Sequence, residues 1–169
     1  MKKFKSIFAF ALVLLLVLPF VPVKAEEPLT KEQKKAFTAQ LKQKREVIRE
    51  KTLNIKKIQA QFDGMADDMV KALESLLTTE AVPSEDFALK MQAKQEQVFT
   101  ALIEIGKLEN SIKIQKLEAK VNADKENYSQ ALLDYDNVIA LLDKEEELLK
   151  AYAANMKEYV ELMKSLQYK

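Results

Sequence analysis

The chain has no cysteine, no histidine and no tryptophan, and its 169 residues include only two glycines and four prolines. Each absence removes a class of protein. Without cysteine there is no disulfide framework, no thiol nucleophile and no lipid-bearing cysteine, so cohesion rests on packing. Without histidine, the side chain that titrates near neutral pH and most often binds transition metals is missing. Carboxylates alone are poor zinc ligands. There is no glycine-rich phosphate loop and no Ser-His-Asp set. The sequence therefore predicts no catalytic residues, no metal site and no cofactor. Scarcity of glycine and proline over this length predicts a chain that is nearly all helix.

What is present begins with Lys2, Lys3 and Lys5, followed by an apolar run from Ile7 to Leu18, then Pro19 and Pro22, then Val23-Lys24-Ala25. This is the pattern of a secretory signal peptide, with cleavage expected after Ala25. The run is about a dozen residues, where a membrane-spanning helix needs roughly 20. The expected mature domain is 26–169, exported to the bacterial cell envelope or the extracellular space. Ser165 to Lys169 carries no hydrophobic sorting tail, so no covalent anchor is expected. Removing the leader's four lysines leaves 23 basic and 26 acidic residues, a net charge of −3, which does not suggest a nucleic-acid partner.

The organising feature of that domain is a stripe of Leu41, Ile48, Ile55, Phe62, Met69 and Leu76 at a strict seven-residue interval, the mark of one face of a long helix. Positions three further on read Phe37, Lys44, Lys51, Ile58, Met65 and Ala72. Gly64 lies inside the run and reads as a tolerated helical glycine, because the interval does not slip. Pro83 followed by Ser84, Glu85 and Asp86 marks a boundary and a helix start. A second helix carries Met91, Val98, Ile105, Ile112 and Ala119, with Phe87, Ala101, Leu102 and Leu108 beside them. Asn122, Asp124 and Asn127 predict a turn, although the spacing of Ile114, Val121, Tyr128 and Tyr135 also fits one continuous helix. A third helix carries Tyr128, Tyr135, Leu142, Leu149, Met156 and Met163, with a second row of Ala131, Val138, Glu145, Tyr152, Tyr159 and Leu166. The expected helices are about 30–79, 84–122 and 124–167, in an all-α, three-helix antiparallel (up-down-up) bundle with coiled-coil-like heptad packing.

Charge supports the same arrangement. Residues 31–60 hold ten basic and three acidic side chains, residues 61–86 one basic and seven acidic, and residues 124–147 two basic and eight acidic. First and third helices running the same way would set basic beside acidic. Counting from the helix starts places Lys51 level with Glu145 and Glu146 and near Glu109, so a charged layer of Lys51, Glu109, Glu145 and Glu146 is expected across the core. The basic stretch also supplies a candidate anion-binding face: Lys31, Lys34, Lys35, Lys42, Arg45, Arg49, Lys56 and Lys57. Asp134-Tyr135-Asp136-Asn137 lacks the glycine and closing Glu of a calcium loop and reads as solvated helix.

Leu29-Thr30-Lys31-Glu32-Gln33 resembles the LTxxQ motif of Spy-type periplasmic chaperones, small helical proteins that cradle unfolded clients. The resemblance covers five residues, and Leu77-Thr78-Thr79-Glu80-Ala81 does not repeat it, because Ala81 stands where Gln is required. Three functions are therefore expected. The first is a non-enzymatic interaction or structural protein, acting through an unknown protein partner or self-association. The second is a module bound to anionic wall polymer or a membrane surface through residues 31–57. The third, implied by the resemblance, is a holder of unfolded chains.

Overall fold

The computed structural model describes residues 29–78 and 83–165. The leader expected at 1–25 and the end of the third expected helix at 166–167 lie outside the described residues. Every regular element among the described residues is helical: α1 (Lys31–Gln59), α2 (Phe62–Thr78), α3 (Glu85–Asp124) and α4 (Tyr128–Ser165).

The first expected helix is two helices. The chain tightens at Ala60 and Gln61, where the Gln61 N–H reaches back only three residues to the Ile58 carbonyl at 3.0 Å. The next bond, from the Met65 N–H to the Gln61 carbonyl, is stretched to 3.4 Å. Asp63 then occupies the first turn of α2, where the helix dipole favours an acid. Because the tightened bond inserts no residue, the seven-residue interval passes through the break unchanged and hides it. Burial registers it: Leu41, Ile48 and Ile55 are buried in α1, whereas in α2 only Ala72, from the neighbouring row, is buried.

α3 begins as its sequence predicts. Ser84 is extended (φ −69°, ψ 156°) and its Oγ accepts the Phe87 N–H at 3.2 Å, with Glu85 and Asp86 in the first turn. Its end is a Schellman motif. The Asn127 N–H bonds the Asn122 carbonyl at 2.9 Å, and the Glu126 N–H bonds the Ala123 carbonyl at 3.1 Å. Glu126 takes the left-handed φ of 60° that this motif requires, a position usually held by glycine. The Asn127 carbonyl then accepts the Ala131 N–H at 3.0 Å and launches α4. The crowding of Asn122, Asp124 and Asn127 is thus a turn, with α3 ending two residues and α4 beginning four residues later than expected.

α4 is the helix against which the others pack. Its buried side chains include Ala131, Tyr135, Val138, Leu142, Glu145, Leu149, Tyr152, Met156, Val160 and Met163, separated by three or four residues throughout. The closest backbone approaches are α3 to α4 and α2 to α4. α1 reaches α4 through side chains. Phe37 stacks on Tyr128 with ring centroids 5.5 Å apart, and Arg45 lies over the Tyr135 ring while its Nε donates to the Tyr135 hydroxyl at 2.9 Å. Lys34 pairs with Glu126, Lys44 with Asp136 and Lys51 with Asp143.

Candidate binding groove

α2 and α3 both rest on α4 and leave a groove between them. Its floor is the α4 row Tyr152, Met156 and Tyr159, and its walls are Met69 and Leu73 on one side and Gln95, Val98, Phe99 and Leu102 on the other, around a cavity of about 320 Å³. Phe62 holds the Tyr152 ring edge-on, with centroids 5.0 Å apart, and burial raises the Tyr152 hydroxyl above its ordinary pKa. The walls carry apolar surface out to solvent: Phe99 is 55% exposed, Leu102 43% and Leu73 39%. Val70, Leu77 and Ile103 are exposed as well, and helical spacing puts Val70 and Leu77 on the flank of Leu73 and Ile103 on that of Phe99.

α3 explains why the groove is so apolar. Its buried residues, Val98, Ile105, Leu108, Ile112 and Ala119, form one face. Phe99, Ile103, Ile114, Leu117 and Val121 lie off that register and are all exposed. At about 3.6 residues per turn they gather on a second face adjoining the groove. A helix apolar on two faces is expected to be covered on both. This signal is present in the sequence, but it is masked by the stronger seven-residue row that begins at Met91.

A second cavity of about 280 Å³ lies further along the same α4 row, where α1 is one wall. It is lined by Thr52, Ile55, Lys56, Gln59, Glu109, Ile112, Lys113, Lys116, Leu142 and Glu145. Glu145 is only 5% exposed. Burial pushes its carboxyl up and Glu109 pushes the same way, with Lys116 and Lys113 partly countering. Burial lowers Lys116, against the pull of Glu145. The Gln59 Nε2 donates to Glu109 at 3.5 Å.

The charged layer therefore differs from the expected one. Glu109 and Glu145 do meet, but Lys113 and Lys116 of α3 face them, not Lys51. Lys51 pairs with Asp143 at the solvent edge, and Glu146 pairs with Lys150 one turn along its own helix at 2.6 Å. The separation between partners is 92 residues at Lys44 and Lys51, whose acids are on α4, and at Lys34, whose acid Glu126 is in the turn before it, where helix starts imply 94 or 95. Two residues of register turn a helix by more than half a revolution, enough to exchange a core position for a rim position.

Three of the candidate anion-binding residues have partners within the chain. Lys34 is paired with Glu126, which raises its pKa through their hydrogen bond. Arg49 is paired with Glu46, which raises the arginine and lowers the acid. Arg45 lies over Tyr135. Lys31, Lys35, Lys42, Lys56 and Lys57 are exposed, and of these Lys56 also lines the Glu145 cavity.

Asp134 corrects the reading of its segment as solvated helix. It is 4% exposed and accepts from the Asn122 Nδ2 at 2.7 Å and the Gln130 Nε2 at 2.8 Å, clasping the end of α3 to the start of α4. Among the described residues no group of three or more acidic side chains converges as a metal site, and no helix is long and apolar enough to cross a membrane.

Comparison with protein-family models, curated proteins and solved structures finds no match to this chain.

Proposed function

We propose that this protein is an exported, non-enzymatic interaction protein of the cell envelope or extracellular space, and that it works by holding an apolar segment of another protein in the groove between α2 and α3. One observation carries the reading: Leu73, Phe99 and Leu102 stand partly exposed around a cavity floored by Tyr152, Met156 and Tyr159. Contiguous exposed apolar surface of this kind marks interaction sites in soluble proteins. A chaperone-like holder of unfolded chains is a special case of the same reading and uses the same surface.

The arrangement that supports it is an up-down-up bundle with heptad packing. In its favour, α1 and α4 pair at a constant separation of 92 residues, as two helices running the same way do. Lys94 with Glu158 and Asn122 with Asp134 pair at separations that shrink from 64 to 12 toward the α3–α4 turn, as antiparallel neighbours do. The three- and four-residue spacing of the α4 core fits heptads.

The test is a photo-crosslinking residue placed at Leu102, with a control at Leu133, which is 59% exposed on α4 and lines no part of the groove. In the native envelope, Leu102 should capture defined protein segments that Leu133 does not. Equal capture from both positions, or none from Leu102, removes the groove from the function.

A further inference from the structure

We infer that the Glu145 cavity is a binding site for a small zwitterion, an ammonium and a carboxylate carried on one aliphatic frame of amino-acid size. The inference goes beyond the proposed role of the groove, because the Glu145 cavity shares no lining residue with the apolar one.

Its two walls follow the same helical count. α1 contributes Thr52, Ile55, Lys56 and Gln59, and α3 contributes Glu109, Ile112, Lys113 and Lys116. Both sets fall at i, i+3, i+4 and i+7, which is one face of a helix. Ile55, Ile112 and Leu142 are buried and make the apolar part of the lining. Lys56 and Lys113 are exposed. Glu145 is the side chain left over. It is 5% exposed, yet among the described residues it makes no hydrogen bond and no ion pair. Lys116 and Lys113 act on it through space without reaching ion-pair distance, and Glu109 repels it. Glu109 itself receives only the long bond from Gln59 among the described residues. Buried polar groups are ordinarily hydrogen-bonded, and a buried carboxylate without a donor is costly.

Two carboxylates short of donors call for a cation that brings several N–H groups, and an ammonium brings three. A ligand that is only a cation would also meet the three lysines of the lining. One that is only an anion would leave Glu145 facing like charge. The lining holds three cationic and two anionic side chains, so a ligand with one charge of each sign meets both sets. Its ammonium would lie between Glu109 and Glu145, its carboxylate toward Lys56 and Lys113, and its aliphatic part against Ile112 and Leu142. A cavity of about 280 Å³ has room for a molecule of this size.

Free amino acids and the ends of short peptides share this chemistry. The probes are leucine, leucyl-leucine, isoamylamine, which is leucine without its carboxylate, and isocaproate, which is leucine without its ammonium. Each is titrated into the purified protein at neutral pH and followed by backbone amide shifts. Leucine or leucyl-leucine should move the amides around Glu145, Glu109 and Ile112, and the tighter of the two names the source. That zwitterion should bind about tenfold or more tighter than isoamylamine or isocaproate. Glu145→Gln keeps the shape and removes the charge, and should weaken the zwitterion about tenfold or more while leaving isocaproate no weaker. The double variant Lys56→Gln, Lys113→Gln, at two exposed sites, should bring the zwitterion down toward the affinity of isoamylamine. Phe99→Asp should change none of these affinities.

If isoamylamine binds as tightly as the zwitterions, the site takes a cation alone and the inference falls. Isocaproate binding as tightly would make it an anion site and overturn the inference equally. If no probe moves the amides around Glu145 up to roughly 10 mM, the cavity is a hydrated polar layer and the inference falls. Loss of zwitterion binding in Phe99→Asp would place the ligand in the apolar groove and overturn the site. The groove reading is tested apart from all of these, by crosslinking at Leu102.

Discussion

α3 and α4 are nearly the same length, 40 and 38 residues, yet five residues are buried in α3 and eleven in α4. α4 is enclosed from two sides. α3 is covered on one side and shows Phe99, Ile103, Ile114, Leu117 and Val121 to solvent on another. Both helices are rich in apolar residues, so hydrophobic content does not separate them. What separates them is whether a neighbour lies against each apolar row, and that makes one helix a stabilising spine and the other a surface with capacity to spare.

The contrast can be broken first at the spine. Leu149→Ala, at a site 1% exposed, should cost about 2–5 kcal/mol. Calorimetry should show the midpoint falling by roughly 5–15 °C at this size. Ile114→Ala, at a site 59% exposed, should cost within about 0.5 kcal/mol, as surface substitutions do. Equal costs would mean that α3 is covered where it is read as bare.

The junction between the two helices comes next. Asp134→Ala leaves the Asn122 amide without its buried acceptor and should cost about 1–3 kcal/mol by urea denaturation. Glu126→Gly acts in the opposite direction. It relieves a left-handed residue, worth about 1–2 kcal/mol, but it gives up the Lys34 pair and adds chain entropy. The expected net is a gain of up to about 1 kcal/mol, read from the same curves, and a loss would mean that the Lys34 pair outweighs the backbone strain.

The Glu145 layer sharpens the comparison through pH. Burial and Glu109 raise the folded-state pKa of Glu145 above its ordinary value of 4.5. A carboxyl raised by folding penalises the fold when ionised, fully above the raised value and not at all below the ordinary one. Its contribution therefore makes the protein more stable as pH falls from neutral toward 4.5. Subtracting the melting profile of Glu145→Gln from that of the native protein should isolate this rise, and a flat difference would place Glu145 in solvent. The smallest effects belong to α1. Lys44→Ala and Lys51→Ala each break a partly exposed pair with α4 and should cost about 0–1 kcal/mol, less at high salt.

Much of the helical content was legible because glycine and proline are so scarce. The start of α3 was legible because Ser84-Glu85-Asp86 is a cap with its acids in place. The break at Ala60–Gln61 was not, because a tightened turn that inserts no residue leaves periodicity intact. The burial of Asp134 was not legible, because its partners, Asn122 and Gln130, are ordinary polar residues whose convergence depends on the turn between α3 and α4. The pairing of Lys51 with Asp143 was not legible, because helix starts do not fix register to within two residues.

The amino-acid order alone determined that this chain is helical, which rows of each helix are apolar, and which stretches carry each charge. Those are local properties, set by side-chain chemistry and the 3.6-residue turn. Only the tertiary structure decided which apolar rows are covered. Burial of Leu149 and exposure of Phe99 depend on whether a second helix lies within side-chain reach, and no single helix carries that information.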